Sequence, residues 1–173
     1  EMISRFGADT VRLFILFGAN PEAGMAWSDI ALEANHRQMF SLIDGVDTAL
    51  KFSDSPSKID DWLMSRLRAN QKKWIEVMSD VSLREGVMVS HFEMLSDWNW
   101  YLRRGGCDRI TAMSFLHGWI PMLAPATPHI AEEFWKKLGR EDLLAKFVIP
   151  VLQHDSNDVR VLALENYIKE IIS

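Results

Sequence analysis

Basic residues close to tryptophans are the most chemically suggestive feature of the sequence. One cluster lies between Trp62 and Trp74 with no acidic residue among its members, and a second follows Trp100 around a Gly105–Gly106 turn. Cations of this kind can hold the phosphates of an RNA backbone and position it without reading its sequence. The clusters consist of Arg66, Arg68, Lys72 and Lys73, and of Arg103, Arg104 and Arg109.

The same clusters also have a purely structural explanation. Lys and Arg are common on solvated helix faces, and the helix dipole favours cations in a last turn. The spacing of Trp62, Trp74 and Trp98 is more typical of a buried stripe than of a stacking surface. Trp100 is offset from the stripe of its helix, which predicts a position at an edge.

Residues with catalytic or metal-binding chemistry form no recognisable site. None of the five histidines is spaced as a ligand pair with another histidine or with Cys107, and His129 with Glu133 supplies too few metal ligands. There is no Gly-rich phosphate loop, and no serine lies in a Gly-x-Ser-x-Gly motif. Cys107 lies near a predicted helix start without an identifiable base. The sequence therefore predicts no catalytic residue, metal site or cofactor within this chain.

Composition excludes several classes of protein. The chain has 173 residues, of which 48% are hydrophobic and 25% charged, so it can form a buried core. Its net charge of -5 argues against binding nucleic acid by bulk charge, and any contact must use local basic surfaces. A single cysteine excludes a disulfide framework and fits a reducing, cytoplasmic setting. Apolar runs such as Leu13–Phe17 are too short to span a bilayer, so we expect no membrane partner.

Helical periodicity runs through almost the whole chain and predicts an all-α antiparallel helical bundle. Candidate N-caps are Asp9, Ser28, Ser57 or Asp60, a Ser82–Glu85 capping box, Asp108 and Thr127 before Pro128. The predicted helices are Thr10–Phe17, Ser28–Leu50, Ser57–Met78, Ser82–Arg104, Asp108–Ile120 with a kink at Pro121, Thr127–Leu138 and Val161–Ile172. Loops are expected at 18–24 and 153–158.

Three segments together resemble class I aminoacyl-tRNA synthetases. Gly7–Arg12 (GADTVR) resembles the segment that follows the Lys-Met-Ser-Lys-Ser signature, and Asp60–Leu67 (DDWLMSRL) resembles the start of the helical anticodon-binding domain. Leu123–Trp135 (LAPATPHIAEEFW) resembles a later helix-turn-helix of that domain. Trp27–Asp29 (WSD) and Asp97–Arg104 (DWNWYLRR) are most similar to the archaeal and eukaryotic type of leucyl-tRNA synthetase.

This resemblance implies a fragment of a larger ligase that joins leucine to tRNA using ATP and magnesium. Neither nucleotide-binding signature of the family occurs in the chain, so the fragment alone is expected to be non-catalytic. The implied partners are tRNA and the catalytic and C-terminal domains of the same polypeptide. If the chain docks tRNA, the basic clusters and the edge tryptophan supply the expected tRNA-binding residues, which are Arg66, Arg68, Lys72, Lys73, Trp100, Arg103 and Arg104.

The expected organisation has three parts. Residues 1–24 form a connection after the catalytic domain, 25–150 the anticodon-binding-type bundle, and 151–173 a linker and helix toward a C-terminal domain. An isoleucyl-, valyl- or methionyl-tRNA synthetase is the alternative within the family. A helical protein-interaction module without an RNA role and a free-standing enzyme are the alternatives outside it.

Overall fold

The computed structural model describes residues 2–18, 27–147, 149, 158, 159, 161, 163 and 165. Within these ranges the chain forms α-helices that run back and forth, which confirms the predicted all-α antiparallel bundle. They are α1 (Met2–Phe6), α2 (Ala8–Gly18), α3 (Asp29–Ala49), α4 (Lys58–Ser79), α5 (Leu83–Val87), α6 (Met94–Arg103), α7 (Arg109–Leu123) and α8 (Pro128–Lys137). A π-helical turn (Met88–Glu93) joins α5 to α6, and a 3₁₀ turn (Leu144–Lys146) follows α8.

Several helix ends form as the sequence predicts, because their capping groups are local. The Ser28 hydroxyl accepts a hydrogen bond from the Ala31 N–H, and Ser57 forms a capping box with Asp60. The Asp108 carboxylate accepts from the Thr111 N–H at the start of α7. Gly105 has a φ of 81°, the left-handed conformation that ends a helix at little steric cost.

One predicted cap is wrong, and a second has the predicted N-cap position without the predicted side-chain hydrogen bonds. The Asp9 carboxylate lies in the first turn of α2 but bonds to residues of α8, so it does not cap its own helix. Ser82 makes no side-chain hydrogen bond to α5, and the Ser82–Glu85 capping box is absent. In α3 the apolar residues Ile30 and Ala34 are exposed.

Two further predictions concern the later helices. Helix α7 continues past Pro121 to Leu123. Val161, Ala163 and Glu165 have helical backbone as predicted. Asp158, which the sequence placed in a loop, is also helical, as is Val159. The loop expected at 18–24, apart from helical Gly18, and most of the segment after 149 lie outside the described residues.

The core is built where α4 and α6 pack on α7. Leu63 and Leu67 of α4 are fully buried, as are Trp98 of α6 and Phe115 of α7. Trp98 and Phe115 stack with their ring centroids 5.6 Å apart. Packing of these large rings fixes how far α4, α6 and α7 are shifted along one another, and therefore the position of the side chains at their ends. In the part of the chain that the structure describes, no helix is long and apolar enough to cross a membrane.

Candidate nucleic-acid interface

A stack of three side chains joins α4 to the end of α6. The ring centroids of Trp62 and Trp100 are 4.0 Å apart, and the guanidinium carbon of Arg104 lies 3.7 Å from the Trp100 centroid. The cation is held by the electron-rich face of the indole, and the stack limits its motion. Trp100 is half-buried, which confirms its predicted position at an edge, while Arg104 is exposed. A flat, oriented cation of this kind is suited to a phosphate.

Arg103 and Arg109 lie on either side of the Gly105–Gly106 turn and are both exposed. Among the described residues neither has an ion-pair partner. A Cβ atom on Gly106 would lie 2.2 Å from the Tyr101 ring, so only glycine allows the turn to fold this tightly onto α6. The close turn therefore keeps the short connection that carries Arg103, Arg104 and Arg109 packed against α6.

Tyr101 connects this turn to the start of α4. Its hydroxyl donates to Asp60 Oδ1 at 2.7 Å and accepts from the Asp108 N–H at 3.2 Å. Burial raises the pKa of Tyr101, and the hydrogen bond to Asp60 raises it further, so the phenol stays protonated. One buried hydroxyl therefore holds the α6–α7 turn and the start of α4 together.

Asp108 connects the turn to the α3–α4 loop. Its Oδ1 accepts from the Ser55 N–H at 3.0 Å and its Oδ2 from the Thr111 N–H at 2.9 Å. The Arg109 N–H also donates to the Ser53 carbonyl at 3.1 Å. Hydrogen bonds to the carboxylate, the Thr111 N–H foremost, lower the pKa of Asp108, which keeps it an acceptor at neutral pH.

The other predicted basic residues, called here the α4 cluster (Arg66, Arg68, Lys72 and Lys73), are mostly paired with acids. The Arg66 Nε lies 3.0 Å from Asp97 Oδ2, and a terminal nitrogen of Arg66 lies 3.6 Å from Glu165. Asn70 donates to the same Asp97 oxygen at 2.7 Å. Burial raises the pKa of Asp97, although Arg66 and Asn70 oppose the rise. Arg66 therefore compensates a carboxylate inside the bundle.

Arg68 is paired equally closely. Its guanidinium contacts both carboxylate oxygens of Asp158, with Nε 2.7 Å from Oδ2, and the Ser65 hydroxyl donates to Oδ1 at 2.7 Å. The Lys73 ammonium lies 2.7 Å from Glu93. Lys72 is exposed and forms no ion pair among the described residues. The two predicted clusters thus differ: most cations of the α4 cluster are paired with acids, whereas Arg103, Arg104 and Arg109 form no ion pair among the described residues.

Two residues at this interface were missed by the sequence analysis. Lys51 and Lys58 flank the α3–α4 loop and are exposed. The contacts of Asp108 and Tyr101 bring that loop to the Arg103–Arg109 turn. No sequence signal could have joined them to the turn, because about 50 residues of chain separate Ser55 from Asp108 and only folding closes that distance.

The histidines that the structure describes make none of their hydrogen bonds to residues of this interface. His91 is fully buried, with Nδ1 2.8 Å from the Ser90 hydroxyl and Nε2 3.0 Å from the Thr127 hydroxyl. Burial lowers its pKa to about 3, so the ring is neutral. Across the described ranges, His, Cys, Asp and Glu residues form no group of three or more that could hold a metal ion.

A separate contact joins two segments that carry the family resemblance. Asp9 bonds to His129 Nδ1 at 2.7 Å and accepts from the Ile130 N–H at 2.8 Å. Arg12 donates to the Pro125 and Ala126 carbonyls at 3.0 and 3.1 Å. The Gly7–Arg12 segment is therefore bound to the helix-turn-helix of α7 and α8.

Comparison with known proteins agrees with this architecture. The family described as "Anticodon-binding domain of tRNA ligase" matches residues 60–173, beginning at the predicted Asp60 motif. The leucine–tRNA ligase of Archaeoglobus fulgidus is 31% identical over 98% of this chain and 18% of its own length. That of Pyrococcus abyssi is 29% identical over 99% of this chain and 19% of its own length. The chain thus spans about a fifth of the length of these relatives.

A solved structure shares the fold. The crystal structure of a ternary complex of Agrobacterium radiobacter K84 agnB2 LeuRS with tRNA and LeuAMS matches 87% of this chain and 21% of its own chain. The TM-score is 0.69 at 22% sequence identity. Archaeal leucine–tRNA ligases are among these relatives, which confirms the resemblance of the sequence to the archaeal and eukaryotic type of leucyl-tRNA synthetase.

Proposed function

The chain belongs to the anticodon-binding domain family of tRNA ligases, and from this premise we propose that it is the tRNA-docking helical domain of a leucyl-tRNA synthetase. The similarity to archaeal leucine–tRNA ligases along almost the whole chain supports leucine as the amino acid. The complete enzyme attaches leucine to tRNA(Leu) with ATP. The catalytic residues, ATP and magnesium lie outside these 173 residues, in a polypeptide expected in the cytoplasm.

The observation that carries the proposal is the Trp62–Trp100–Arg104 stack beside the exposed Arg103. In a chain with a net charge of -5, this is a local, oriented positive surface. It offers cations to phosphates but few side chains that could read base edges, so its role is positional. By holding the body of the tRNA, the bundle lets the acceptor end reach a catalytic domain elsewhere in the polypeptide.

The predicted tRNA-binding residues divide into two groups in this proposal. Direct contact with the RNA is assigned to Trp100, Arg103, Arg104 and Lys72, which are at least partly exposed and have no acid partner among the described residues. A supporting role is assigned to Arg66, Arg68 and Lys73, whose cations would have to leave a carboxylate to bind a phosphate.

The proposed organisation follows from the same function. Residues 1–24 connect to the catalytic domain, 25–150 form the docking bundle, and 151–173 lead toward a C-terminal domain. The contacts of Asp9 and Arg12 with the α7–α8 region support a connection that is fixed to the bundle.

The test is charge reversal at the end of α6 in the complete native polypeptide that contains this chain. Arg103→Glu with Arg104→Glu should weaken tRNA(Leu) binding and aminoacylation by about 100-fold, because two phosphate contacts become repulsive. ATP–pyrophosphate exchange, which needs no tRNA, should be unchanged. Arg5→Glu with Arg37→Glu makes the same charge change on α1 and α3 and is the matched control.

Each alternative predicts a different result. Unchanged tRNA affinity in the Arg103→Glu/Arg104→Glu variant would exclude docking by this surface. No binding of any tRNA, even at low salt, would favour a protein-interaction module. Preference for tRNA(Ile), tRNA(Val) or tRNA(Met) over tRNA(Leu) would move the chain to another synthetase of the family.

A further inference from the structure

We propose that the α3–α4 loop and the α6–α7 turn form one continuous binding site for the phosphate backbone of RNA, called here the loop end. Its five cations are Lys51, Lys58, Arg103, Arg104 and Arg109. Lys51 and Lys58 come from a part of the chain that neither the family resemblance nor the basic clusters indicated. The inference rests on the proposed tRNA-docking function and extends it to a defined surface.

Backbone contacts make the two segments one surface. The Ser53 carbonyl accepts from the Arg109 N–H, and the Ser55 N–H donates to Asp108. Lys51 lies two residues before Ser53 in sequence, and Lys58 begins α4 next to the Ser57–Asp60 capping box. All five cations therefore belong to segments that the Tyr101 hydroxyl joins through its hydrogen bonds with Asp60 and Asp108.

The acidic residues of this region form no ion pair with the five cations. Asp60 and Asp108 are buried, and their oxygens accept hydrogen bonds from Tyr101 and from backbone N–H groups. Only Asp54 and Asp61 are exposed acids within these two segments. None of the five cations forms an ion pair with any residue that the structure describes. Five cations that form no ion pair within the described ranges face four aspartates in these segments, and the exposed, excess positive charge favours an external anion.

The loop end is also held in place before any ligand binds. Tyr101 and Asp108 join three elements, Gly106 packs against the Tyr101 ring, and Arg104 rests on Trp100. A site that is already ordered loses less conformational entropy on binding. Cations spread over two segments around a fixed centre suit the repeated phosphates of a polynucleotide better than a single small anion.

The test removes only the two newly assigned lysines. In the complete native polypeptide, Lys51→Ala with Lys58→Ala should weaken tRNA(Leu) binding about 10-fold near 0.1 M salt, since two phosphate contacts are lost. The slope of log affinity against log salt should become shallower by about two. Arg5→Ala with Arg37→Ala is the control: it makes the same charge change, and Arg37 lies about 20 Å along α3 from the loop end. The control should leave the slope unchanged.

The outcomes separate this inference from the proposed function. An unchanged slope in Lys51→Ala/Lys58→Ala, with strong loss of binding in Arg103→Glu/Arg104→Glu, would overturn the loop end while docking stands. Equal losses in the lysine variant and the control would also overturn it, since bulk charge would then explain both. No loss in any variant would overturn both proposals. A circular dichroism melt of each variant confirms that the lysine substitutions leave the fold intact, as expected for exposed side chains.

Discussion

The α4 cluster and the loop end contain the same kinds of side chain in opposite electrostatic states. Arg66, Arg68 and Lys73 each face a carboxylate, and Arg66 and Arg68 are largely buried against the bundle. The loop-end cations are exposed and unpaired within the described structure, and two of the acids near them, Asp60 and Asp108, are buried and accept hydrogen bonds from other groups. A run of basic residues therefore indicates an anion-binding surface only when the carboxylates around it do not pair with it.

The difference arises from which elements pack beside each cluster. Helix α4 lies against α6, which places Asp97 beside Arg66, and Asp158 reaches Arg68 from far along the chain. The loop end faces no such element among the described residues. The comparison assigns stability to the paired cations of the α4 cluster and binding to the unpaired cations, and the following predictions test that division in order of expected effect.

The largest effect is expected at Arg66. Arg66→Ala removes the cation that compensates the partly buried Asp97 carboxylate, and should lower the free energy of unfolding by about 3 kcal/mol. Affinity for tRNA should change less than about twofold at a temperature where the variant is folded. Lys72→Ala, on the same helix but exposed, is the control and should leave stability within about 0.5 kcal/mol of the parent. Chemical denaturation measures the stability and tRNA titration the affinity. Unchanged stability with a large loss of tRNA affinity in Arg66→Ala would contradict the assignment of Arg66 to stability.

Acid should destabilise the bundle through His91. The ring is neutral in the folded state with a pKa of about 3, against about 6.5 when unfolded, so the unfolded state binds the proton first. Stability is then full above about pH 6.5 and should fall by about 2 kcal/mol on reaching pH 5. The raised pKa of Asp97 acts in the opposite direction at lower pH.

His91→Gln separates this contribution from the rest of the molecule. Glutamine can still donate to a hydroxyl but carries no titrating ring. The variant should be less stable at pH 7.5, yet show a flatter dependence of unfolding free energy on pH between 6.5 and 5. Denaturant titrations at three pH values give the slope, and an unaltered slope would show that another group is responsible.

A smaller effect is expected for Tyr101→Phe, which tests how the loop end is held. Without the hydroxyl, Asp60 loses a donor and the Asp108 N–H loses an acceptor, so stability should fall by about 1.5 kcal/mol. Affinity for tRNA should fall about threefold because the cations are less well ordered before binding. Ser79→Ala, which removes an exposed hydroxyl, should change neither quantity. Full tRNA affinity in Tyr101→Phe would show that the network has no role in binding.

The smallest effect is expected at Lys73. Its ion pair with Glu93 is exposed, so Lys73→Ala should change the unfolding free energy by about 0.3 kcal/mol and tRNA affinity by less than about twofold. A loss of affinity comparable to that of Lys51→Ala/Lys58→Ala would mean that the Lys73–Glu93 pair opens on binding. Lys73 would then belong to the tRNA-docking surface.

Local sequence accounts well for the fold and only partly for the site. The caps at Ser28, Ser57 and Asp108 were predictable because each contacts backbone within three residues. Asp9 is also a capping-type residue near a helix start, but it lies inside the first turn of α2 and its partners His129 and Ile130 are about 120 residues away, so its role was not visible in the sequence. Trp100 could be placed at an edge from its helical offset, whereas its stacking on Trp62 could not be predicted.

The sequence by itself determined the all-α class, most helix ends, the family, and the presence of basic residues at the end of α6, because periodicity, caps and motifs are short-range properties of the chain. Only the tertiary structure decided which cations remain available. Electrostatic pairing acts over a few ångströms in space without regard to separation along the chain. Asp97 and Asp158 therefore neutralise Arg66 and Arg68, while the Tyr101 and Asp108 contacts bring Lys51 and Lys58 to Arg103 and Arg104.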